Sequence, residues 1–291
     1  MFTVTVLCAP SSKTVEATLV ENLRNAWGGG EAVWLSVGEA AEFAVGQEPD
    51  NFWQVWDSLQ AQGLDLVIQP TFGRRKKMVL ADMDSTMIEQ ECIDELAAEA
   101  GVGARVAEIT ARAMNGELDF EGALDERVGL LEGLDAAVIQ KVLSERITLM
   151  PGGKELVSTM KANGAYAALV SGGFTAFTAK VAEMIGFDEN RANTLLQENG
   201  KLTGKVARPI LGREAKVQAL EEITARLGIS EADVIAVGDG ANDLGMLGRA
   251  GTGVALHAKP SVQKECKVRI NHGDLTALLF IQGYQRSEFA S

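Results

Sequence analysis

Met78-Val79-Leu80-Ala81-Asp82-Met83-Asp84-Ser85-Thr86 is the stretch whose reading decides the fold of this chain. Four apolar residues read as a short buried strand, and two carboxylates follow at its C-terminal end. In an open parallel α/β sheet, ligands sit outside the carboxyl ends of the strands. Asp82 and Asp84 alternate with Met83, so in extended backbone both side chains face the same way. Two acids held that close compete for protons unless a cation or a reaction uses them. A divalent metal is the obvious cation. Taken alone, the pair serves at least as well as a cap, with Ser85 and Thr86, for the next helix.

Upstream, residues 2–8 alternate as a strand does, and Val15, Leu19, Leu23 and Trp27 recur at helical spacing from Ser12 until Gly28-Gly29-Gly30. Strands are expected at 32–37, 40–45 and 64–68, with a second helix over 51–62. This β-α-β-β-α-β order points to a small ferredoxin-like α+β unit, similar in topology to ACT-like domains that bind small ligands or pair subunits. Pro70 to Lys77, with Arg74-Arg75-Lys76-Lys77, reads as a solvated interdomain linker. The boundaries that follow are 1–72 and 73–291.

Downstream, residues 89–148 contain no clear strand. Helical runs at 89–99, 104–114, 120–131 and 135–146 suggest a cap inserted over the site. The α/β rhythm then resumes, with strands at 166–170, 234–237, 253–256 and 268–270, helices at 174–185 and 214–227, and a hairpin about Asn199-Gly200. The expected fold class is α/β, a Rossmann-like parallel sheet with an inserted helical cap, preceded by the small α+β unit.

Composition narrows the function. The 291 residues are 46% hydrophobic and carry a net charge of −13, which argues against nucleic acid or an anionic membrane as partner and obliges an anionic substrate to find a local positive site. Three cysteines without metal-ligand spacing and two histidines exclude a disulfide framework and a histidine-rich zinc site. The first residues lack the features of a signal peptide, and no 18-residue apolar run occurs, so a cytoplasmic protein is expected.

Four features fall where a parallel sheet brings loops together: the Asp82–Thr86 segment, Ser171-Gly172-Gly173, Lys216 early in a helix, and Gly238-Asp239-Gly240-Ala241-Asn242-Asp243. Each has an ordinary structural use, as a cap, a turn, a solvated lysine or an Asx-rich loop. In this order the set resembles the haloacid dehalogenase superfamily of phosphoryl-transfer enzymes over residues 78–273, and within it the phosphatases that act on O-phosphoserine in the last step of serine biosynthesis. That resemblance implies Asp82 as nucleophile, Asp84 as general acid/base, and Mg²⁺ held by Asp82, Asp239 and the backbone carbonyl of Asp84. It implies phosphate contacts from Ser171, Gly172, Lys216 and Asn242, with Asp243 orienting Lys216. Glu91 and Arg127 match the cap positions that read the substrate's ammonium and carboxylate, and Met114 and Phe120 match an apolar lid. The implied partner is a small phosphomonoester, with a homodimer as a further expectation. Two other readings remain open: a phosphatase for a different small phosphomonoester, or a non-catalytic amino-acid-sensing protein.

Overall fold

In strand β1 (Phe2–Cys8) the even residues Val4, Val6 and Cys8 enter one apolar cluster, while Leu7 enters another. The computed structural model, which describes residues 1–114 and 117–290, continues with α1 (Ala17–Ala26), β2 (Val33–Ser36), β3 (Ala40–Val45), α2 (Phe52–Gln60) and β4 (Leu64–Pro70). The four strands form an antiparallel sheet in the order β2-β3-β1-β4. Helix α1 starts five residues later than its spacing suggests. Residues 9–15 are used instead in a turn that ties the Val15 amide to the Gly38 carbonyl at 3.0 Å, with Lys13 at φ 48°.

The two faces of this sheet have different partners. On β4, Leu64, Leu66 and Ile68 pack with the unit's own helices, whereas Asp65, Val67 and Gln69 face the rest of the chain. Asp65 is fully buried and accepts from the backbone amides of Asn271, His272 and Gly273 at 2.9, 2.9 and 2.7 Å. The basic run is no free linker either. Arg74 pairs with Glu42 at 2.6 Å, Arg75 lies over the Tyr284 ring at 4.0 Å, and the Lys76 ammonium donates to the Ala232 carbonyl at 2.8 Å.

β5 (Met78–Ala81) is wholly buried because its alternate residues serve two clusters, Met78 and Leu80 on one face, Val79 and Ala81 on the other. Such a strand reads as a continuous apolar run. Four helices follow, α3 (Cys92–Glu99), α4 (Gly103–Met114), α5 (Phe120–Gly129) and α6 (Ala137–Glu145), then α7 (Gly153–Ala162). β6 (Tyr166–Phe174) runs past Val170, the expected end of the strand, through Ser171-Gly172-Gly173, and its pairing shifts register there. Beyond α8 (Thr175–Ile185) comes β7 (Glu189–Asn193), a strand not anticipated, then the hairpin β8 (Leu195–Glu198) and β9 (Lys201–Val206). The remaining elements are α9 (Arg213–Leu227), β10 (Val234–Gly238), α10 (Leu244–Arg249), β11 (Thr252–Leu256), α11 (Pro260–Glu265), β12 (Val268–Ile270) and α12 (Ala277–Ile281). The second sheet is parallel throughout, in the order β12-β11-β10-β5-β6-β7. Its adjacent strands β10, β5 and β6 therefore deliver three of the four sequence motifs to one edge. Among the described residues no helix is long and apolar enough to cross a membrane.

Asp65→Ala should destabilise the protein by about 3 kcal/mol, because three amides lose a charged acceptor in a buried place. Asp65→Asn, which keeps one acceptor oxygen, should cost less. Urea denaturation of the two variants measures both.

Candidate active site

β5 ends at Ala81, so the two acids lie beyond the strand, and Ser85 takes a left-handed φ of 56°. The carboxylates diverge in partner. Asp82 is 4% exposed, with its fully buried Oδ1 paired to the Lys216 ammonium at 2.7 Å. Asp84 Oδ1 accepts from the Cys92 amide at 3.2 Å. Around them lies a cavity of about 740 Å³ that Glu91, Arg127, Phe120, Ser171, Gly172, Asp239 and Asn242 also line.

Lys216 and Asp243 stand behind that wall. Lys216 is 1% exposed, on the stripe of α9 that carries Ala219, Leu220 and Ile223 into the core. Its ammonium also lies 2.5 Å from Asp243 Oδ1, and Asp243 Oδ2 accepts from the Gly240 amide at 3.0 Å. Lys216, read from the sequence as a phosphate contact, is thus closed in by two carboxylates and does not line the cavity.

Burial alone would lower the pKa of such a lysine, but Asp82 and Asp243 outweigh it and raise it. Burial, then the charge of Asp243, raises the Asp82 carboxyl well above its ordinary value against the pull of Lys216. Burial and then Glu91 bring Asp84 to about 7, and burial and then Asp243 bring Asp239 to about 6. The carboxylates of Asp82, Asp239 and Asp243 gather within 4.8 Å of one another. Both Asp243 oxygens are engaged, and Asp82 and Asp239 are the carboxylates of this group that line the cavity as hard-oxygen donors. They suit a divalent cation. Asp243 is the third acid of this group, and the Asp84 side chain turns to Cys92, which leaves its backbone carbonyl as the ligand that the sequence reading expects.

Toward the helices, Glu91 accepts from the Ser85 hydroxyl at 2.9 Å, and Arg127 Nε donates to the Ala123 carbonyl at 3.1 Å. Phe120 packs on two glycines: a Cβ at Gly172 or Gly212 would stand 3.0 or 3.2 Å from its ring. The side chain of Met114, expected in the same lid, lies outside the described residues. Ser171 is buried, and its Oγ accepts from the Gly173 amide at 2.9 Å. A Cβ at Gly173 would fall 2.5 Å from Asp84 Oδ2, so only glycine lets this acid approach the strand.

Asn193 escaped the sequence reading. It is 1% exposed, donates to the carbonyls of Gly172 and Leu211 at 2.8 and 3.1 Å, and accepts from the Leu211 amide at 2.7 Å. It ties the Ser171-Gly172 segment to the loop that leads into α9. It lies in the mostly polar run Asp188–Thr194, where nothing in the sequence sets it apart from its neighbours.

A parallel sheet with clustered acids at one edge and a lysine locked among them defines a class. The chain belongs to the haloacid dehalogenase-like hydrolase family, which it matches over residues 79–248. Its relatives include the phosphoserine phosphatase of Archaeoglobus fulgidus, 47% identical over 218 residues that make up 74% of this chain and 63% of that protein. The match thus takes in a little under two thirds of the archaeal protein's length. Among solved structures, a haloacid dehalogenase family hydrolase from Salmonella enterica serovar Typhi superposes with a TM-score of 0.87 at 31% identity, over 97% of this chain and 99% of that one. A phospho-aspartyl intermediate analogue of phosphoserine phosphatase is 42% identical over 71% of this chain and 98% of its own, with a TM-score of 0.66.

Asp239 binds its proton more tightly in the folded protein than in the unfolded chain. Without metal it therefore contributes destabilisation that grows as pH rises from about 4, its ordinary value, through about 6. In chelator, Asp239→Asn should gain stability over the parent, more at pH 7 than at pH 4. Thermal melts of both proteins at the two pH values check the sign.

Proposed function

We propose that this chain is a Mg²⁺-dependent phosphatase that hydrolyses O-phospho-L-serine to L-serine and phosphate through an aspartyl-phosphate on Asp82. The observation that carries the reading is Asp82, a buried carboxylate that lines the cavity with the Lys216 ammonium behind it at 2.7 Å. The names of the relatives support the same substrate.

In this mechanism an Asp82 oxygen attacks phosphorus in line, and the ester P–O bond breaks. Asp84, with its pKa near 7, holds the proton that the departing serine oxygen takes. It then accepts a proton from the water that attacks the phosphoryl group, the bond to Asp82 breaks, and inorganic phosphate leaves. Ser171, the Gly172 backbone and Asn242 surround the phosphate oxygens, while Lys216 draws Asp82 toward its ionised form and Asp243 keeps Lys216 in place. A Mg²⁺ held by Asp82, Asp239 and the Asp84 carbonyl would offset phosphate charge, which dominates catalysis of phosphoryl transfer. Glu91 reads the serine ammonium and Arg127 its carboxylate.

The helices between β5 and β6 act as a cap at about 89–148, and Phe120, seated against Gly172 and Gly212, excludes water from the closed site. Residues 1–72 form an ACT-like ferredoxin-like domain, a reading supported by the order β2-β3-β1-β4, and residues 73–291 form the phosphatase domain.

Phosphate release from phosphoserine tests the proposal. It should need Mg²⁺, stop in chelator, and vanish in Asp82→Asn while the variant stays folded. Full activity in chelator would remove the metal from the reaction. Asp84→Asn should slow turnover by roughly 10²–10⁴-fold, the usual worth of general acid–base catalysis.

Substrate choice is tested separately. A charge-assisted bond is worth about 1.5–3 kcal/mol, so Arg127→Ala should lower kcat/KM for phosphoserine by roughly ten- to 150-fold. Hydrolysis of an aryl phosphate, which lacks the amino-acid groups, should change much less. Equal losses on the two substrates would favour a general small-molecule phosphatase.

A further inference from the structure

A second cavity of about 780 Å³, as large as the first, lies where the end of β4 and the basic segment meet α9, α10, β11 and α11. Both volumes are in the usual range for small-molecule sites. Lys76, Arg213 and Lys267 line it, with Glu265 as the opposing acid, while Arg74 also borders it but is spent on Glu42. Among the described residues, neither Arg213 nor Lys267 has an acid within ion-pair distance. Lys76 is half-buried and gives one of its protons to the Ala232 carbonyl. In a chain of net charge −13, these three cations around one hollow make a local positive site. Leu244 and Leu247 supply apolar wall, and Phe72 stands at the rim 98% exposed.

The position of this hollow matters as much as its charge. Leu244 directly follows Asp243, and Arg213 lies one helical turn before Lys216 and borders both cavities. The far wall belongs to the N-terminal unit. The second cavity thus touches, from behind, both elements that hold the Lys216–Asp243 pair.

We propose that this cavity binds a small organic anion, an anionic group carried on an apolar body, and that its occupant bears on the Lys216–Asp243 pair through α9 and Leu244. The anionic group meets Lys76, Arg213 and Lys267, and the body lies against Leu244 and Leu247 with Phe72 folding over it. Nothing in this depends on which ester the first cavity takes.

The test uses the full chain and 1-anilinonaphthalene-8-sulfonate, an aromatic sulfonate whose fluorescence rises on leaving water. Titration in excess inorganic phosphate should show saturable binding at one site. Lys267→Glu should weaken it roughly threefold to tenfold, the usual span for losing one polar contact. Gly248→Trp should abolish it, since a Cβ at Gly248 meets nothing within 4 Å and the indole would fill the hollow. Arg127→Ala, which removes a cation from the first cavity alone, should leave it unchanged. Should Gly248→Trp not fold, the surface change Lys267→Glu decides alone. Affinity kept in Lys267→Glu would overturn the proposal, with loss in Arg127→Ala placing the probe in the first cavity, and so would the lack of saturable binding. With the probe bound, amide hydrogen exchange should slow in residues 213–216 and 239–244. Unchanged exchange in both segments would refute the link to the ion pair.

Discussion

A lysine ammonium sealed from water between two carboxylates sets the terms for the rest of this molecule. Lys216 could not remain charged at 1% exposure without Asp82 and Asp243, and neither acid would ionise easily there without it. The three residues come from the end of β5, from α9 and from the loop after β10, so the ion cluster pins three separate elements at ångström tolerance. It is also unbalanced. One positive charge faces two acids, with Asp239 as a third beside them. In a poorly solvated place that excess is relieved by a proton or by a cation, and the raised pKa of Asp239 is the proton's side of that choice.

Close backbone approach is the second constraint. A Cβ at Gly238 would stand 2.4 Å from the Asp243 carboxyl carbon, and one at Gly240 would stand 2.4 Å from Asn242 Oδ1. Together with Gly173 beside Asp84, these positions let acids and amides crowd one sheet edge without side chains between them. Asn193 does the complementary work, since three hydrogen bonds from one buried amide hold two loops that have no other reason to meet.

The fold was legible wherever the signal was local. The run Met78–Ala81 reads as a buried strand because it is one, and the apolar stripe of α9 is plain in the sequence. That stripe includes position 216, so phase alone could have marked Lys216 as inward-facing. What could not be read was non-local. Asn193, Asp65 and Arg213 look like ordinary polar residues until the partners, 18 or more than 200 residues away for the first two, are brought up by the sheets. β7 was missed because Glu189–Asn193 has mostly polar, half-exposed residues and lies at the sheet's edge. The sequence reading ends β6 at Val170, because a glycine pair usually interrupts a strand. Here the strand continues with a shifted register.

The divided loyalties of β4 bear on how such a chain could evolve. Its even residues answer only to the helices of their own unit, where any well-packed apolar set suffices. Its odd residues answer to the rest of the protein, through a carboxylate that fits three particular amides and a glutamine that reaches the Ile281 carbonyl at 2.5 Å. Sequence drift along this strand should therefore alternate, permissive at one residue and restricted at the next. Recombination that exchanged the first seventy residues for a like-shaped unit would bring a sound fold of its own, yet one whose inner face no longer fits its host.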